Sequence, residues 1–249
     1  MVGVMGLGYV GLPIAVSYAR AGFRTIAYDT DPDKIAALKA SRSYVEDVSS
    51  EDISQTISTN KLVPTSDPSM LGDAEAVFIC VPTPYTVAKD PDLSYVVAAS
   101  ETLAEHMGPG TLVILQSTTY PGTTNEVVKP ILEAGVRTAG RDFDLAFSPE
   151  RVDPGNKVYN IENTPKVVGG VTEESTAKAA AVLAAPMRDE VSPKVVRVSG
   201  PEVAEMTKLL ENTFRAVNIA LVNELALLCQ RMGVDVWEVV EAAATKPFG

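Results

Sequence analysis

Six residues near the start of the chain, Gly6-Leu7-Gly8-Tyr9-Val10-Gly11, limit what it can become. Glycines at this spacing also occur in ordinary turns, so the spacing alone decides little. Here a short apolar run, VGVM, precedes the glycines, and a helical pattern, LPIAVSYARAG, follows them with Gly22 as a natural stop. A second apolar run, RTIAYD, ends at Asp29, 23 positions after the first glycine. Strand, glycine turn, helix and acid-ended strand together form the pattern of a dinucleotide-binding unit. In such a unit Gly6 makes the tight turn, Gly8 lets backbone approach a pyrophosphate, and Gly11 lets helix pack on strand. Exposed N–H groups and the helix dipole hold the negative charge. Asp29 would accept from ribose hydroxyls and repel a 2′-phosphate, which favours NAD over NADP.

A helix is expected from Pro32 to about Ala40. AEAVFICVP and GTLVILQST read as the fourth and fifth strands, of the fully buried type, separated by a helix over 93–107. FDLAFSP and PKVVGG read as further strands, and TEESTAKAAAVLAA as a helix opened by Thr172 with acids in its first turn. After KVVRVSG the alternation ends. The pattern predicts an α/β fold, a doubly wound parallel sheet of the Rossmann type. From 201 to 232 the spacing of Val203, Met206, Leu210, Phe214, Val217, Leu221, Leu225 and Leu228 predicts one helix, about 48 Å long at 1.5 Å per residue. A helix that outreaches its own domain usually packs on a partner. Gly233 ends it, and Asp235 through Glu238 read as a capping box for another helix. The expected domains are therefore 1–198 and 199–249, the second opening an all-α dimerisation region.

Composition narrows the partners. A net charge of -11 and pI near 4.6 argue against general attraction to nucleic acid or an anionic membrane. No apolar run approaches the ~20 residues of a spanning helix, and no cleavage pattern opens the chain, so a cytoplasmic protein is expected. Cys80 and Cys229 both lie in apolar surroundings, where a reduced, buried thiol is expected rather than a nucleophile. His106, the single histidine, stands near a helix end and is expected to cap it, which leaves little for a histidine-based hydride mechanism. No metal site is expected.

Four segments could carry chemistry. VPTP (Val81, Pro82, Thr83, Pro84) ends the fourth strand on the carboxyl side, where ligands of such sheets sit, although a rigid turn without a ligand has the same residues. Tyr85 and Lys89 match a Tyr-x-x-x-Lys pair, but that pair works only on a helix, and the prolines around it predict a loop. In QSTTYPGTT, Ser117 and Thr118 face the carboxyl edge and can hydrogen-bond a nicotinamide, a substrate or a water; a helix N-cap suits Thr123 or Thr124 better. SPERVDPGN puts Glu150 and Arg151 just past another strand, where a carboxylate beside a cation could be a general base, a substrate clamp or a surface salt bridge. Lys208 and Asn212, four apart in the long helix, share one face and read by themselves as ordinary surface residues.

Taken in order, GLGYVGLP, Asp29 with Lys34, VPTP, STTYPGTT, SPERVDPGN and KLLENTFRAVNIALVNE resemble the UDP-glucose/GDP-mannose dehydrogenase family of nucleotide-sugar dehydrogenases over the whole chain. VPTPYTVAKDPDLSYV and SPERVDPGN are more similar to the branch that oxidises UDP-N-acetylhexosamines; where UDP-glucose enzymes show a second glutamate, Pro154 stands here. The resemblance implies oxidation of a sugar's primary alcohol to a carboxylate with two NAD, through an aldehyde and a cysteine thioester. It implies that Gly6, Leu7, Gly8, Tyr9, Val10, Gly11, Asp29, Lys34, Val81, Pro82, Thr83, Ser117, Thr118 and Glu150 surround the cofactor. Glu150, Arg151, Val152, Lys208 and Asn212 would meet the UDP-sugar. Thr118 and Glu150 would position and activate the water that hydrolyses the thioester, while Lys208 and Asn212 would stabilise the oxyanion and act in proton transfer. It further implies a homodimer through 201–232. A segment resembling TKPFG continues in the family to a Gly-His-Cys that carries the nucleophile and then to a UDP-binding domain, so Gly249 is expected to be a cut rather than an ending, with a few residues missing at the front as well.

Overall fold

The structure is a computed structural model that describes residues 1–85, 91–153, 155–156 and 158–247. Its first compact unit, Met1–Lys208, is built on one eight-stranded sheet; the second is Leu209–Gly249.

The strands are short and apolar: β1 Val2–Met5, β2 Thr25–Tyr28, β3 Leu62–Thr65, β4 Ala76–Ile79, β5 Leu112–Leu115, β6 Asp144–Phe147, β7 Lys166–Gly170 and β8 Val195–Arg197. Their order is β3-β2-β1-β4-β5-β6-β7-β8. The five pairings from β3 to β6 are parallel. Every residue of β1, β2, β4, β5 and β6 is buried, as strands covered on both faces must be. Helices α1 Gly11–Arg20, α2 Pro32–Lys39, α3 Ser50–Ser58, α4 Ser94–His106 and α6 Glu173–Ala184 make the crossovers and layers, with a π-helical turn Thr124–Val128 running into the short α5 Lys129–Leu132. One apolar cluster joins α1, α3 and α6 to one face of the sheet through Leu12, Ile53, Phe78 and Leu183. A second joins α4 and α5 to the other face through Val77, Leu103, Leu132 and Phe147.

Three local features depart from the sequence reading. The sheet is not wholly parallel, because β7 runs antiparallel to β6. Among the described residues the segment between them contains no helix, and a parallel return would need such a crossover. The edge strand β3 holds Pro64 in mid-strand, and a proline that removes a ladder donor is tolerated only at such an edge. This proline hides the strand from a reading by apolar runs. Asp235 caps α8 Val236–Ala244 through the Trp237 N–H at 2.8 Å, rather than through Glu238 as a capping box would require. Thr172 opens α6 as expected, accepting from the Ser175 N–H at 3.0 Å, and Asp31 opens α2 by accepting from the Asp33 N–H.

The long helix α7 spans Pro201–Met232, and the compact units divide within it, after Lys208. In the second unit Phe214, Val217, Leu221, Leu225 and Leu228 are all exposed, and α8 has no buried residue. Cys229 is half-buried there, not buried as its apolar sequence neighbours predict; only Cys80 is in the core. Among the described residues no helix is long and apolar enough to cross a membrane.

Candidate functional site

The strand order reverses beside β1, so the β1–α1 and β4–α4 connections leave the sheet in opposite directions and open a crevice at its carboxyl edge. The glycine turn, Asp29, the Val81–Thr83 and Ser117–Thr118 segments and Glu150 each follow the carboxyl end of a parallel strand on this edge.

The glycine turn is fixed from both sides. Gly6 has φ +87°, and a Cβ there would stand 2.8 Å from the Cys80 carbonyl oxygen. At Gly11 a Cβ would stand 1.8 Å from the Gly6 carbonyl oxygen, so the helix can start against the strand only without a side chain. Gly8 differs: a Cβ would meet nothing within 4 Å, and the backbone faces open space. No side chain caps α1, and the N–H groups of Gly8, Tyr9 and Val10 meet no acceptor among the described residues. An uncapped helix start with unpaired donors is what a pyrophosphate requires, so these residues fit a dinucleotide.

Asp29, buried at the end of β2, organises the turn. Its Oδ2 accepts from the Leu7 N–H at 2.7 Å and from Lys34 Nζ at 3.0 Å, and its Oδ1 accepts from the Asp31 N–H at 2.9 Å. Lys34 is thus held against the end of β2 by Asp29. The Tyr44 hydroxyl donates to the Leu7 carbonyl at 2.9 Å and holds the turn from above. Burial, and then the charge of Asp29, push that hydroxyl above its ordinary pKa, so it stays a donor.

Across the crevice, Thr83 donates to the Thr118 carbonyl at 2.7 Å and Ser117 donates to the Val81 carbonyl at 2.8 Å, which fastens the ends of β4 and β5 together. Ser117 is buried and gives its proton to this joint, whereas the Thr118 side chain is exposed. Pro82 lies exposed in the same loop. Of the Tyr85/Lys89 pair, Tyr85 bridges to Pro91, and Lys89 lies outside the described residues, as does Pro154.

Glu150 is only 8% exposed. Its Oε1 accepts from the N–H groups of Arg151 at 2.7 Å and Val152 at 2.8 Å, and Lys166 Nζ lies 3.1 Å from both carboxylate oxygens. Burial alone would raise the pKa of Glu150, but Lys166 and the two backbone donors outweigh it and hold the carboxyl below its ordinary value. The cation beside Glu150 is therefore Lys166 and not Arg151, whose guanidinium donates to the Pro165 carbonyl at 2.9 Å. Lys208, at the end of the first unit, donates to the Glu150 carbonyl at 2.6 Å. Asn212 belongs to the second unit, where it accepts from Arg215 at 2.6 Å. Glu150 and Val152 also line a cleft of about 280 Å³ along α1, with Tyr9, Val10 and Ser17. Beneath the glycine turn Cys80 is buried, and burial followed by the Glu150 charge pushes its thiol well up, which makes it a poor nucleophile. Among the described residues no cluster of three or more acidic, histidine or cysteine side chains is placed to hold a metal.

Residues 1–187 match the NAD-binding domain of the UDP-glucose/GDP-mannose dehydrogenase family, and residues 202–249 match its central domain. The chain belongs to this family. The family's NAD-binding domain identifies the cofactor as NAD. Among curated relatives, a UDP-N-acetyl-D-mannosamine dehydrogenase of Pyrococcus horikoshii is 38% identical, over 99% of this chain and 58% of its own length. A UDP-N-acetyl-D-glucosamine 6-dehydrogenase of Pseudomonas aeruginosa is 37% identical, over 98% of this chain and 56% of its own. A solved structure of the UDP-N-acetyl-D-mannosamine enzyme from Pyrococcus horikoshii superposes with a TM-score of 0.90 at 36% identity, covering 100% of this chain and 58% of that one. The chain thus spans little more than half the length of these family members.

Two buried charged residues beside these segments were not singled out from the sequence: Lys166, the counter-ion of Glu150, and Glu205, which binds the turn after β5. A charged residue in an otherwise apolar strand, as in PKVVGG, is the one signal that could have found Lys166.

Proposed function

We propose that the protein of which this chain is part is an NAD-dependent dehydrogenase that oxidises the primary alcohol of a UDP-N-acetylhexosamine to the uronate in two hydride transfers. The carrying observation is the buried Glu150, locked as a carboxylate by Lys166 and two backbone donors, with Lys208 on its carbonyl and Thr118 on the neighbouring strand end. The 37–38% identity to UDP-N-acetyl-mannosamine and UDP-N-acetyl-glucosamine dehydrogenases supports the substrate class.

In this reading residues 1–198 bind NAD and 199–249 begin a helical dimerisation domain. NAD supplies the hydride acceptor. The α1 start and Gly8 hold its pyrophosphate, Asp29 with Lys34 its adenosine ribose, and the Val81–Pro82–Thr83 and Ser117–Thr118 strand ends its nicotinamide half. Arg151 and Val152 meet the sugar nucleotide. Lys208 and Asn212 stabilise the oxyanion and move a proton, and Thr118 and Glu150 hold the water that releases a cysteine thioester formed on a residue outside this chain. With its pKa held down, Glu150 orients that water more than it takes a proton from it. The exposed apolar face of the second unit supports a homodimer through 201–232, and a cytoplasmic location belongs to the same proposal.

The test is an activity screen of the intact gene product against UDP-N-acetylglucosamine, UDP-N-acetylmannosamine, UDP-glucose and GDP-mannose, following the formation of NADH by its absorbance. Turnover of a UDP-N-acetylhexosamine in preference to the others supports the reading; preference for UDP-glucose or GDP-mannose, or no turnover of any, overturns it. The chain itself is expected to bind NAD without turning over a sugar.

A further inference from the structure

Glu205, in the second turn of α7, is 0% exposed. A buried carboxylate needs partners, and those of Glu205 lie across the fold. Its Oε2 accepts from the Gly122 N–H at 2.6 Å, and its Oε1 from the Thr124 N–H at 2.9 Å and the Thr124 hydroxyl at 2.6 Å. These donors open the helical segment Thr124–Val128 and α5. The residue at its N-cap, Thr123, does not cap it: that hydroxyl donates to the Tyr120 carbonyl at 2.7 Å. The missing cap is supplied from α7, as an anion at a helix start.

The consequence concerns the loop between β5 and this helix. Its near end is fastened by Ser117 to the Val81 carbonyl and by Thr83 to the Thr118 carbonyl; its far end is fastened by Glu205. One turn beyond Glu205, Lys208 reaches the Glu150 carbonyl. The first turns of α7 therefore hold two of the carboxyl-edge loops at once. We infer that Glu205 is a positioning residue that sets the Thr118 loop against the nicotinamide half of the coenzyme, leaving the adenosine half to the glycine turn and Asp29. The inference rests on the proposed reading that Thr118 faces the nicotinamide.

Glu205→Gln preserves the side-chain shape. Whichever way the amide turns, its NH2 group faces a backbone N–H of Gly122 or Thr124, so one bond becomes a repulsion. The test is calorimetry of this chain with NAD and with ADP-ribose, which lacks the nicotinamide. Glu205→Gln is expected to weaken NAD about threefold or more while ADP-ribose stays within about twofold of wild type, since a small misplacement of a contacting loop is felt only by the group it contacts. Equal losses for both ligands indicate a merely structural residue and overturn the inference, as does no loss for either. Wild-type protein that binds neither ligand refutes the cofactor reading itself, a different failure. Should Glu205→Gln not fold, Thr124→Val removes one of the three bonds, keeps the charge, and is expected to shift NAD and ADP-ribose in the same unequal sense.

Discussion

The glycine turn can be tested by a pair of substitutions that the structure makes opposite. At Gly8 an alanine methyl meets nothing within 4 Å and the backbone does not need positive φ. Folding should therefore be unharmed or helped by about 0.4–1 kcal/mol, through the smaller entropy of the unfolded chain. The same methyl projects into the space where a pyrophosphate would approach the N–H groups. Losing or stretching one charge-assisted hydrogen bond costs about 1.5–3 kcal/mol, which is roughly a 10- to 150-fold loss of NAD affinity. At Gly11 the methyl would stand 1.8 Å from the Gly6 carbonyl oxygen, a backbone atom that no rotamer change can move. Relief requires the α1 start to leave the strand, a cost of about 3 kcal/mol or more, and hence a fall in Tm of roughly 6–12 °C at about 2–4 °C per kcal/mol. Thermal unfolding by circular dichroism and NAD titration by calorimetry read both quantities. Gly8→Ala with wild-type NAD affinity would refute the placement of the pyrophosphate, and Gly11→Ala with wild-type Tm would refute the packing argument.

Four further outcomes follow from the same geometry. Lys166→Met leaves Glu150 buried without its cation and should destabilise the fold by about 3–5 kcal/mol at neutral pH in denaturant titration, a loss that shrinks in acid as Glu150 protonates; a loss that does not change with pH contradicts the ion-pair account. In the wild type the folded pKa of Glu150 is lowered from 4.5, so its contribution is complete above that value and disappears as pH falls through the lower folded pKa; stability that stays flat from pH 6 to pH 3, a window of about these values, excludes that contribution. Cys80, buried with a raised pKa, should resist alkylation until the protein unfolds; iodoacetamide labelling of Cys80 in native protein, read by mass spectrometry, contradicts that burial. Finally, Leu221→Asp, on the exposed apolar face of the second unit, should convert a sedimenting dimer to a monomer without altering NAD affinity, and a wild-type monomer at tens of micromolar would refute dimerisation through this helix.

Much of this protein is legible in its sequence, for a common physical reason: the information is local. A helix or a buried parallel strand announces itself by the period and polarity of adjacent residues, which is why β1, α1, β2, α6 and α7 were read directly. The glycine turn and Asp29 were legible because a tight turn and close helix packing need glycines at fixed offsets within one strand–turn–helix unit, with the acid at the end of the next strand. What tertiary structure alone decided involves partners far apart in sequence. Glu150 finds Lys166 at a separation of 16 residues, Tyr44 finds Leu7 at 37, and Glu205 finds Gly122 at 83. No periodicity encodes those distances. They arise when a closed core leaves a carboxylate or hydroxyl without water, so that it must be satisfied by whatever donor or acceptor the fold brings near. The antiparallel turn of β7 and the edge position of the Pro64 strand have the same origin, because each depends on which strand lies alongside rather than on the strand's own residues.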